Sequence, residues 1–551
     1  MSSTGTANVA SDALPVFKRH RLGLATLSLV LFLTFLDNTI VSVTLANVQS
    51  DLHVGVSELQ WVVNGYALTF AALMLSAGTL GDLFGRKKVM LGGVVIFCLG
   101  SLLAALAPNA NTLVAGRVIM GIGAAASEPG TLSMIRQMYT DRTDRARALG
   151  VWTAVSGLAL AMGPVIGGAL VGVWTWRAVF WFNVFFGLIA LIGAAWVLPE
   201  SSDPVNKRLD IPGFVLGASA VAGASIAVIM GETAGYGTWW IGLLFGLSLL
   251  AAVGFVLFER RAANPVLDVK YFRKPSFSGS NFVAFATYFG VFSIFFFVAL
   301  FLEVVASQSP YSLALDFLPM AAGMVLASIL TGRWVASVGP RIPMALGSAL
   351  AAVGIFLTNA VISPKSGFDP LGWTLLLAGV GFGMAMVPVT SAALSAIPSR
   401  HSGMAASCTN TSRELGAVAG VAVLGSVVNG QLTVNLAHRL TALGIPQQFQ
   451  NLVITAVTTG SVSQKAAAVQ GNKSIQVIVD KVTKAAYSAF AQGLDYSLLA
   501  AGALMVLATI VAMITIRVPR PGAKAEGVRM PRLFVSHHDF DDSDAGIAAA
   551  H

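Results

Sequence analysis

The residues of this sequence that are equipped for chemistry are ionisable side chains in otherwise apolar stretches. The chain has 25 Asp and Glu residues, and five lie within or at the edges of such stretches: Asp37, Glu128, Glu303, Asp316 and Glu414. Arg117 and Arg413 are the basic residues in the same setting. An ionisable group in apolar surroundings costs about 2.5–3.5 kcal/mol on membrane-insertion scales, so each is a candidate for binding a proton or a charged ligand.

The composition indicates that these stretches cross a membrane. Hydrophobic residues make up 56% of the 551 residues and charged residues only 11%, and the mean hydropathy is +0.76. An average soluble domain has about 25% charged residues. A soluble enzyme, a disordered protein and a disulfide-rich secreted protein are therefore excluded. Cys98 and Cys408 lie in apolar segments, and we interpret them as packing residues.

The elements that position the charged residues are predicted to be transmembrane helices. A spanning helix needs about 20 mostly apolar residues. The sequence predicts an all-α integral membrane protein with fourteen transmembrane helices, near 22–44, 59–80, 89–107, 112–134, 148–171, 178–198, 212–231, 239–258, 278–301, 314–335, 343–362, 372–396, 404–428 and 497–516.

The distribution of Lys and Arg predicts the orientation. One side receives the basic groups of the chain, at 18–21, 86–88, 136–147, 207–208, 260–274, 341, 400 and 517–520. The short loops of the other side hold only Arg177 and Lys365. Because cytoplasmic loops are enriched in positive charge, we expect a cytoplasmic (inner) membrane protein with both termini in the cytoplasm. The net charge of +9 is explained by these loops, and nucleic acid is not an expected partner.

A short loop occurs twice, which suggests two similar halves. Residues 78–88 read GTLGDLFGRKK, with Gly78, Asp82, Gly85 and Arg86 as the residues that favour a tight turn and a local ion pair. Residues 332–341 read GRWVASVGPR and repeat the glycine spacing, with Ala336 where the first copy has its acid. Repeated segments in equivalent places are typical of transporters built from two repeats.

We therefore expect five segments. Residues 1–21 form a cytoplasmic N-terminus, 22–198 the first six-helix half, 199–277 two inserted helices with linkers, 278–516 the second half, and 517–551 a disordered cytoplasmic tail. The second half includes a polar extracytoplasmic loop over 429–496. Apolar residues at helical spacing from Ile475 to Phe490 predict an amphipathic helix within that loop, lying on the protein or on the membrane surface.

The loop at 78–88 resembles the signature loop of the major facilitator superfamily, with Leu83 at one usually basic position. Further stretches are similar to motifs of its fourteen-span drug:proton antiporter family: 36–41, 117–121, 163–168, 176–183, 259–265 and 412–416. This resemblance implies a proton-coupled exporter of amphipathic or cationic small molecules that works by alternating access between two halves. It also implies that the first and fourth spans are neighbours beside a central cavity.

The resemblance makes Asp37 and Arg117 candidates for proton coupling, and we also assign Asp37 to substrate binding. At a rise of about 1.5 Å per residue, Asp37 lies about 10 Å and Arg117 about 8 Å from the outer end of its span. The two side chains are therefore at similar depth and able to meet. Our hypothesis is that Asp37 binds the transported proton and that Arg117 adjusts the proton affinity of Asp37. The alternative is a static structural ion pair.

For each of the other acids in the predicted spans, more than one role is open. Glu128 lies eleven residues after Arg117, on nearly the same helix face, where it either binds cationic cargo, adds a proton site or reaches water. Glu414, near the middle of its span, is assigned to proton coupling, with helix packing as the alternative. Glu303 is assigned to cargo binding at the mouth of the cavity. The alternative for Glu303, and the interpretation for Asp316, is a position at the end of the span in contact with water.

Gly163, Pro164, Gly167 and Gly168 are predicted to act through shape. Glycine allows close helix approach and proline bends a helix, so these residues either pack helices or form a hinge and seal between the halves. No phosphate-binding loop, catalytic triad or zinc-ligand spacing is present. We therefore expect no cofactor and no enzyme activity, with small molecules, protons and membrane lipid as partners of a monomer. The alternatives are a symporter or uniporter of a nutrient or lipid, and a receptor without transport.

Overall fold

The computed structural model describes residues 16–41, 44–52, 56–200, 210–262, 265, 267–304, 310–363, 368–398, 401–442, 450 and 473–516. These residues form α-helices without a β-strand: α1 (Val16–Ile40), α2 (Leu45–Leu52), α3 (Val56–Phe84), α4 (Arg86–Ala105), α5 (Ala110–Met138), α6 (Arg142–Val173), α7 (Arg177–Val197), α8 (Ile211–Ala234), α9 (Trp239–Glu259), α10 (Pro275–Ser293), α11 (Ala299–Val304), α12 (Pro310–Val338), α13 (Arg341–Val361), α14 (Phe368–Ala396), α15 (Ser402–Ala442) and α16 (Lys473–Thr515). A 3₁₀ turn covers Val269–Arg273, and a π-helical turn over Ile294–Val298 joins α10 to α11. The predicted tail 517–551 lies outside the described residues, as do residues 1–15.

The helical fold is confirmed, whereas the exact number of fourteen spans is not. Twelve helices of the described chain are long and apolar enough to cross a bilayer, and α6 makes a thirteenth if its two bent parts count as one span. The remaining predicted span is α3, a helix of 29 residues in which the described apolar stretch is Trp61–Met74.

Helix α6 bends where the sequence predicts a hinge. Its parts Thr143–Leu160 and Val165–Val173 are inclined to each other by 45°. Gly163 and Pro164 lie in the break between them. Proline lacks the amide hydrogen needed for the helical hydrogen bond, which is the physical reason for a bend at this point.

The helices form two halves that meet along two main contacts. Helices α1 to α7 pack together, and α10 to α16 pack together. We call these sets the first half and the second half. Across the halves, α3 packs on α15 and α6 packs on α12. Helices α8 and α9 pack on each other, and α8 also contacts α3 and α15.

The repeated loop has the same backbone shape in both halves. Gly85 and Gly339 both adopt positive φ angles, of 108° and 86°. This conformation is strained for residues with a side chain, which explains why glycine occupies both positions. The loops lie at one end of the bundle together with Arg86 and Arg341. We call this end the basic face, and the other end the opposite face.

The two last long helices extend beyond a bilayer. Helices α15 and α16 have 41 and 43 residues, so each is about 60 Å long, twice the thickness of a hydrocarbon core of about 30 Å. Their protruding parts pack on each other through an apolar cluster: Leu436, Leu440, Val482, Ala485, Ala486, Ala489 and Phe490. The predicted amphipathic helix is thus a continuation of the last span, and it pairs with α15. Residues 443–449 and 451–472 of the predicted loop 429–496 lie outside the described residues.

Candidate functional site

The first buried charge cluster lies inside the first half and is centred on Asp37. Arg117 of α5 forms an ion pair with the Asp37 carboxylate of α1. Asn183 of α7 donates a hydrogen bond from Nδ2 to Asp37 Oδ1 at 2.8 Å. Asp37 and Asn183 are fully buried and Arg117 is 1% exposed. Depth counting predicted that Asp37 and Arg117 lie at similar depth, and the resemblance implied that their helices are neighbours; the structure brings the two side chains together.

Helix α3 holds the guanidinium of this cluster in place. Arg117 Nε donates to the Val62 carbonyl at 2.8 Å, and its Cζ lies 4.6 Å from the centre of the Tyr66 ring. The Tyr66 hydroxyl in turn donates to the Thr34 carbonyl of α1 at 2.9 Å. Four helices, α1, α3, α5 and α7, therefore fix one carboxylate and one guanidinium. We call Asp37, Arg117, Asn183 and Tyr66 the first-half cluster.

A second buried charge cluster joins the two halves. Glu128 of α5 lies within electrostatic range of Arg413 and Glu414 of α15. Their exposed fractions are 1%, 2% and 5%. The Arg413 guanidinium lies 5.4 Å from the Trp152 ring of α6 and 5.5 Å from the Tyr288 ring of α10. We call these five residues the interface cluster.

Polar neighbours orient Arg413 within this cluster. Its Nη1 donates to Asn410 Oδ1 at 3.1 Å, and its Nη2 donates to the Thr390 hydroxyl of α14. On the first-half side, Trp152 Nε1 donates to the Thr131 hydroxyl at 3.0 Å. The arrangement presents two carboxylates, one guanidinium and two aromatic faces between the halves, which is a chemistry suited to protons and organic cations.

The other predicted acids lie apart from these clusters. Glu303 belongs to α11, and its side chain lies outside the described residues. Asp316 of α12 is 7% exposed, and it lines an open groove of 560 Å³ together with Leu315, Leu318 and Pro319. Among the described residues, no group of three or more His, Cys, Asp or Glu side chains is arranged to hold a metal ion.

The loop at 78–88 ties the halves together at the basic face. Asp82 accepts hydrogen bonds at 3.2 Å from the backbone amides of Gly403 and Met404, the second and third residues of α15. It also accepts from Arg86 Nε at 2.8 Å. The free amides at a helix N-terminus attract negative charge, so Asp82 caps a helix of the other half. Gly78 lies against Gly403, where a side chain would collide with backbone.

The second copy of this loop makes a different contact. Gly332 packs against α6, where an added Cβ would lie 2.7 Å from the Ala146 carbonyl oxygen. Ala336 stands where the first copy has Asp82. The N-terminus of α6 is capped within its own half, because Asp141 accepts from the amides of Thr143 and Asp144 at 2.7 and 3.0 Å. The two copies of the loop therefore have the same backbone conformation, but only the first copy has an acidic residue that binds the other half.

The four hinge residues of α6 have different surroundings. A Cβ at Gly163 would collide with Thr39 of α1, whose hydroxyl donates to the Leu160 carbonyl at 3.0 Å. Gly167 is buried as well. Within the described part of the chain, no atom lies within 4 Å of a Cβ placed at Gly168. Gly163 therefore serves the contact between α1 and α6, whereas Gly168 lies exposed on the helix surface. The Pro164 side chain lies outside the description.

Sequence reasoning missed several partners of the charged residues. Asn183 was noticed only as part of a family motif, and its amide proves to hold Asp37. Tyr66 and Trp152 were not considered, although a large aromatic residue in a span with polar neighbours is a usable signal for a cation partner. Which helix faces meet depends on tertiary packing, so one sequence does not show that Glu128 lies near the charges of α15.

The chain is similar to known proteins over most of its length. The family model of the Major Facilitator Superfamily matches residues 27–421. The drug efflux pump JefA of Mycobacterium tuberculosis is 31% identical over 493 residues, 88% of this chain and 96% of JefA. The multidrug resistance protein Stp of the same organism is 32% identical over 445 residues, 81% of this chain and 82% of Stp. The methylenomycin A resistance protein of Bacillus subtilis is 34% identical over 406 residues, 74% of this chain and 87% of that protein.

Solved structures share the fold at low sequence identity. The human organic anion transporter MFSD10 aligns with a TM-score of 0.58 at 14% identity, over 91% of this chain and all of that chain. The proton:xylose symporter XylE aligns with a TM-score of 0.56 at 14% identity, over 90% and 95%. From the family match and the efflux relatives, we conclude that the chain belongs to the major facilitator superfamily and is a multi-pass membrane transporter rather than an enzyme.

Proposed function

We propose that this protein is a proton-coupled antiporter that exports amphipathic or cationic small molecules by alternating access. In this proposal α3 is the remaining span of a fourteen-span monomer in the cytoplasmic membrane. The basic face and both termini lie in the cytoplasm, in keeping with the positive charge of that face. The efflux proteins JefA and Stp, which align with most of this chain, support the direction of transport.

The observation that carries the proposal is the fully buried Asp37 carboxylate, held by Arg117 and Asn183. A buried carboxylate requires a positive partner, either a cation or a proton. When Arg117 moves away, a proton becomes the alternative partner. A movement of the helices is thereby linked to the uptake or release of one proton.

The remaining charged residues are assigned by position. Glu414 couples proton binding to the movement of the halves, because it lies in the cluster that they share. Glu128 contacts cargo in the same cluster. Glu303 contacts cargo near the opposite face. Each of these roles requires the carboxylate, so the corresponding Gln variant is the matched test.

The loops and glycines supply the movement. Asp82 and Arg86, with Gly78 and Gly85, latch the basic face while α3 and α15 are in contact. Gly163, Pro164, Gly167 and Gly168 allow α6 to bend between its two parts. Opening of the basic face requires the bonds from Gly403 and Met404 to Asp82 to break, so the latch holds the arrangement in which that face is closed.

The test uses purified protein in sealed liposomes with an internal pH dye and an imposed proton gradient. A panel of lipophilic cations, antibiotics and dyes is added in turn, and empty liposomes serve as the control. Proton movement triggered by cargo and opposite to cargo flow supports antiport. Proton and cargo movement in the same direction would establish symport instead. Cargo binding without any movement would establish a receptor.

A further inference from the structure

Among the twelve spans, α9 is the helix that the rest of the protein covers least. Only 17% of its apolar stretch is buried, the smallest share of the twelve, and its main contact is with α8. Its 21 residues give a length of about 31 Å, which matches a hydrocarbon core of about 30 Å. Trp239 at its start therefore lies at one membrane surface, and Arg260 and Arg261 after its end lie at the other.

An apolar groove of 250 Å³ lies along the exposed side of α9. It is lined by Ala252, Val253, Val256 and Leu257, and Val253 and Leu257 are 47% and 50% exposed. Residues four apart follow one side of a helix at steps of about 6 Å. The groove therefore lies between two rows of side chains, one of Ala252 and Val256 and the other of Val253 and Leu257.

Each row that lines the groove ends in an arginine. Arg260 comes four residues after Val256, and Arg261 comes four residues after Leu257. Arg260 has helical backbone angles, with φ −64° and ψ −23°. The amide of Arg261 donates to the Phe258 carbonyl at 2.9 Å, which continues the last turn. The two arginines therefore stand side by side where the groove reaches the basic face.

Both arginines are available to a ligand. Their side chains are exposed, and neither forms an ion pair with another residue of the described ranges. The adjacent Glu259 is 3% exposed, and its Oε1 lies against Gly213 of α8, so its carboxylate is turned toward α8. From 259 to 274 the chain has five basic and two acidic residues. This part of the basic face therefore attracts anions.

We infer that the groove and the two arginines form a binding site for one anionic phospholipid of the leaflet at the basic face. One acyl chain lies in the groove against Val256 and Leu257, and the phosphate accepts hydrogen bonds from Arg260 and Arg261. Guanidinium groups match the geometry of phosphate oxygens and are weakly hydrated, which suits them to a membrane surface. A zwitterionic lipid brings an ammonium group that the arginines repel. This site goes beyond the proposed antiport, because it requires neither cargo nor a proton.

The experiment measures by native mass spectrometry how much lipid the purified full-length protein retains in detergent. Phosphatidylglycerol and phosphatidylcholine with the same acyl chains are added at equal concentration. The variants are Arg260→Gln, Arg261→Gln and Val256→Trp, which fills the groove and leaves both charges in place. The matched control is Arg333→Gln, which removes an exposed arginine of α12 at the same face. Thermal unfolding identifies any variant that fails to fold.

The wild type is expected to retain phosphatidylglycerol at least about tenfold better than phosphatidylcholine, because two basic groups act on the anionic lipid. Arg260→Gln and Arg261→Gln should each reduce this preference about fivefold. Val256→Trp should reduce the retention of both lipids about fivefold, since the acyl chain loses its apolar contacts. Arg333→Gln should behave as the wild type does. The soluble compound sn-glycerol 3-phosphate, which has no acyl chain, should not displace the lipid.

Four results would overturn the inference: equal retention of the two lipids by the wild type, an equal loss in Arg333→Gln, unchanged retention in folded Val256→Trp, or displacement by sn-glycerol 3-phosphate. The last result would indicate a site for soluble phosphate compounds instead of lipid. None of these results bears on antiport, which the liposome assay tests separately with cargo and protons.

Discussion

The two buried charge clusters differ in which half supplies their partners. Asp37 has its cation and its amide donor on helices of its own half, whereas Glu128 lies within electrostatic range of Arg413 and Glu414 across the boundary between the halves. A cluster within one half keeps its partners when the halves move as bodies. A cluster shared between halves gains and loses them. Separation of Asp37 from Arg117 therefore requires a rearrangement of helices within the first half, whereas the second cluster is suited to sense the position of the halves in the transport cycle.

The basic face repeats this contrast with two helix caps. Asp82 caps α15 across the halves, and Asp141 caps α6 within one half. A charge that crosses the boundary has to release its partner each time that face opens, whereas Asp141 keeps its partner throughout. The four predictions that follow test this distinction, beginning with the largest expected effect.

Arg117→Gln is expected to destabilise the protein most, by about 3–5 kcal/mol, because it leaves a buried carboxylate without its cation. Thermal unfolding in detergent measures the loss. Arg147→Gln is the matched control, since Arg147 pairs with Asp144 at 3.2 Å with both side chains more than half exposed, and exposed pairs contribute about 0–1 kcal/mol. The double variant Arg117→Gln, Asp37→Asn should recover much of the stability. Equal stability of Arg117→Gln and Arg147→Gln would contradict the pairing.

Asp82→Ala is expected to weaken the contact between the halves by about 1.5–3 kcal/mol, because two amides of α15 and Arg86 lose a charged acceptor. Hydrogen exchange measured by mass spectrometry should become faster at the start of α15 and stay unchanged at the start of α6. Adding an acid to the second loop, as Ala336→Asp, should not restore slow exchange, since α6 already has its own cap. Unchanged exchange in α15 would show that the cap does not hold the halves.

Asn183→Ala is expected to cost about 1–2 kcal/mol, because Asp37 Oδ1 loses its buried amide donor. Urea unfolding of the detergent-solubilised protein gives the difference. Asn38→Ala is the control, since the neighbouring Asn38 Nδ2 has no hydrogen-bond partner in the described chain. A cost for Asn38→Ala as large as that for Asn183→Ala would remove Asn183 from the first-half cluster.

Asp141→Ala is expected to have the smallest effect, about 1 kcal/mol, since it removes a helix cap within one half. Hydrogen exchange should quicken at the first turn of α6 and remain slow at the start of α15, the reverse of the result for Asp82→Ala. If Asp141→Ala reduced the transport rate as strongly as Asp82→Ala does, the distinction between the two caps would be contradicted.

The sequence predicted the helical fold, the loop repeat and the meeting of Asp37 with Arg117. The first two succeeded because they depend on local quantities, apolar length and glycine spacing. The third needed, besides depth along a helix, the resemblance, which implies that the first and fourth spans are neighbours. Counting residues gives the depth of a side chain in its span, but not which neighbouring helix the side chain faces. Asn183 and Tyr66 reach the cluster through such directions, and only packing fixes them.

The loop predicted over 429–496 shows a second limit. Helices α15 and α16 continue past the apolar residues, because Leu436 and Val482 let them pack on each other outside the bilayer. The hydropathy of a sequence predicts membrane spans, but it does not predict a helical extension that is stabilised by packing on a neighbouring helix.

The central claim is that Asp37 carries the coupled proton. Its most direct test compares wild type, Asp37→Asn and Asp316→Asn in sealed liposomes, with cargo-triggered proton movement and cargo exchange at equal pH measured on the same preparations. We expect Asp37→Asn to lose the proton movement while it retains cargo exchange, and Asp316→Asn to retain both. Proton movement that continues unchanged in Asp37→Asn would contradict the claim.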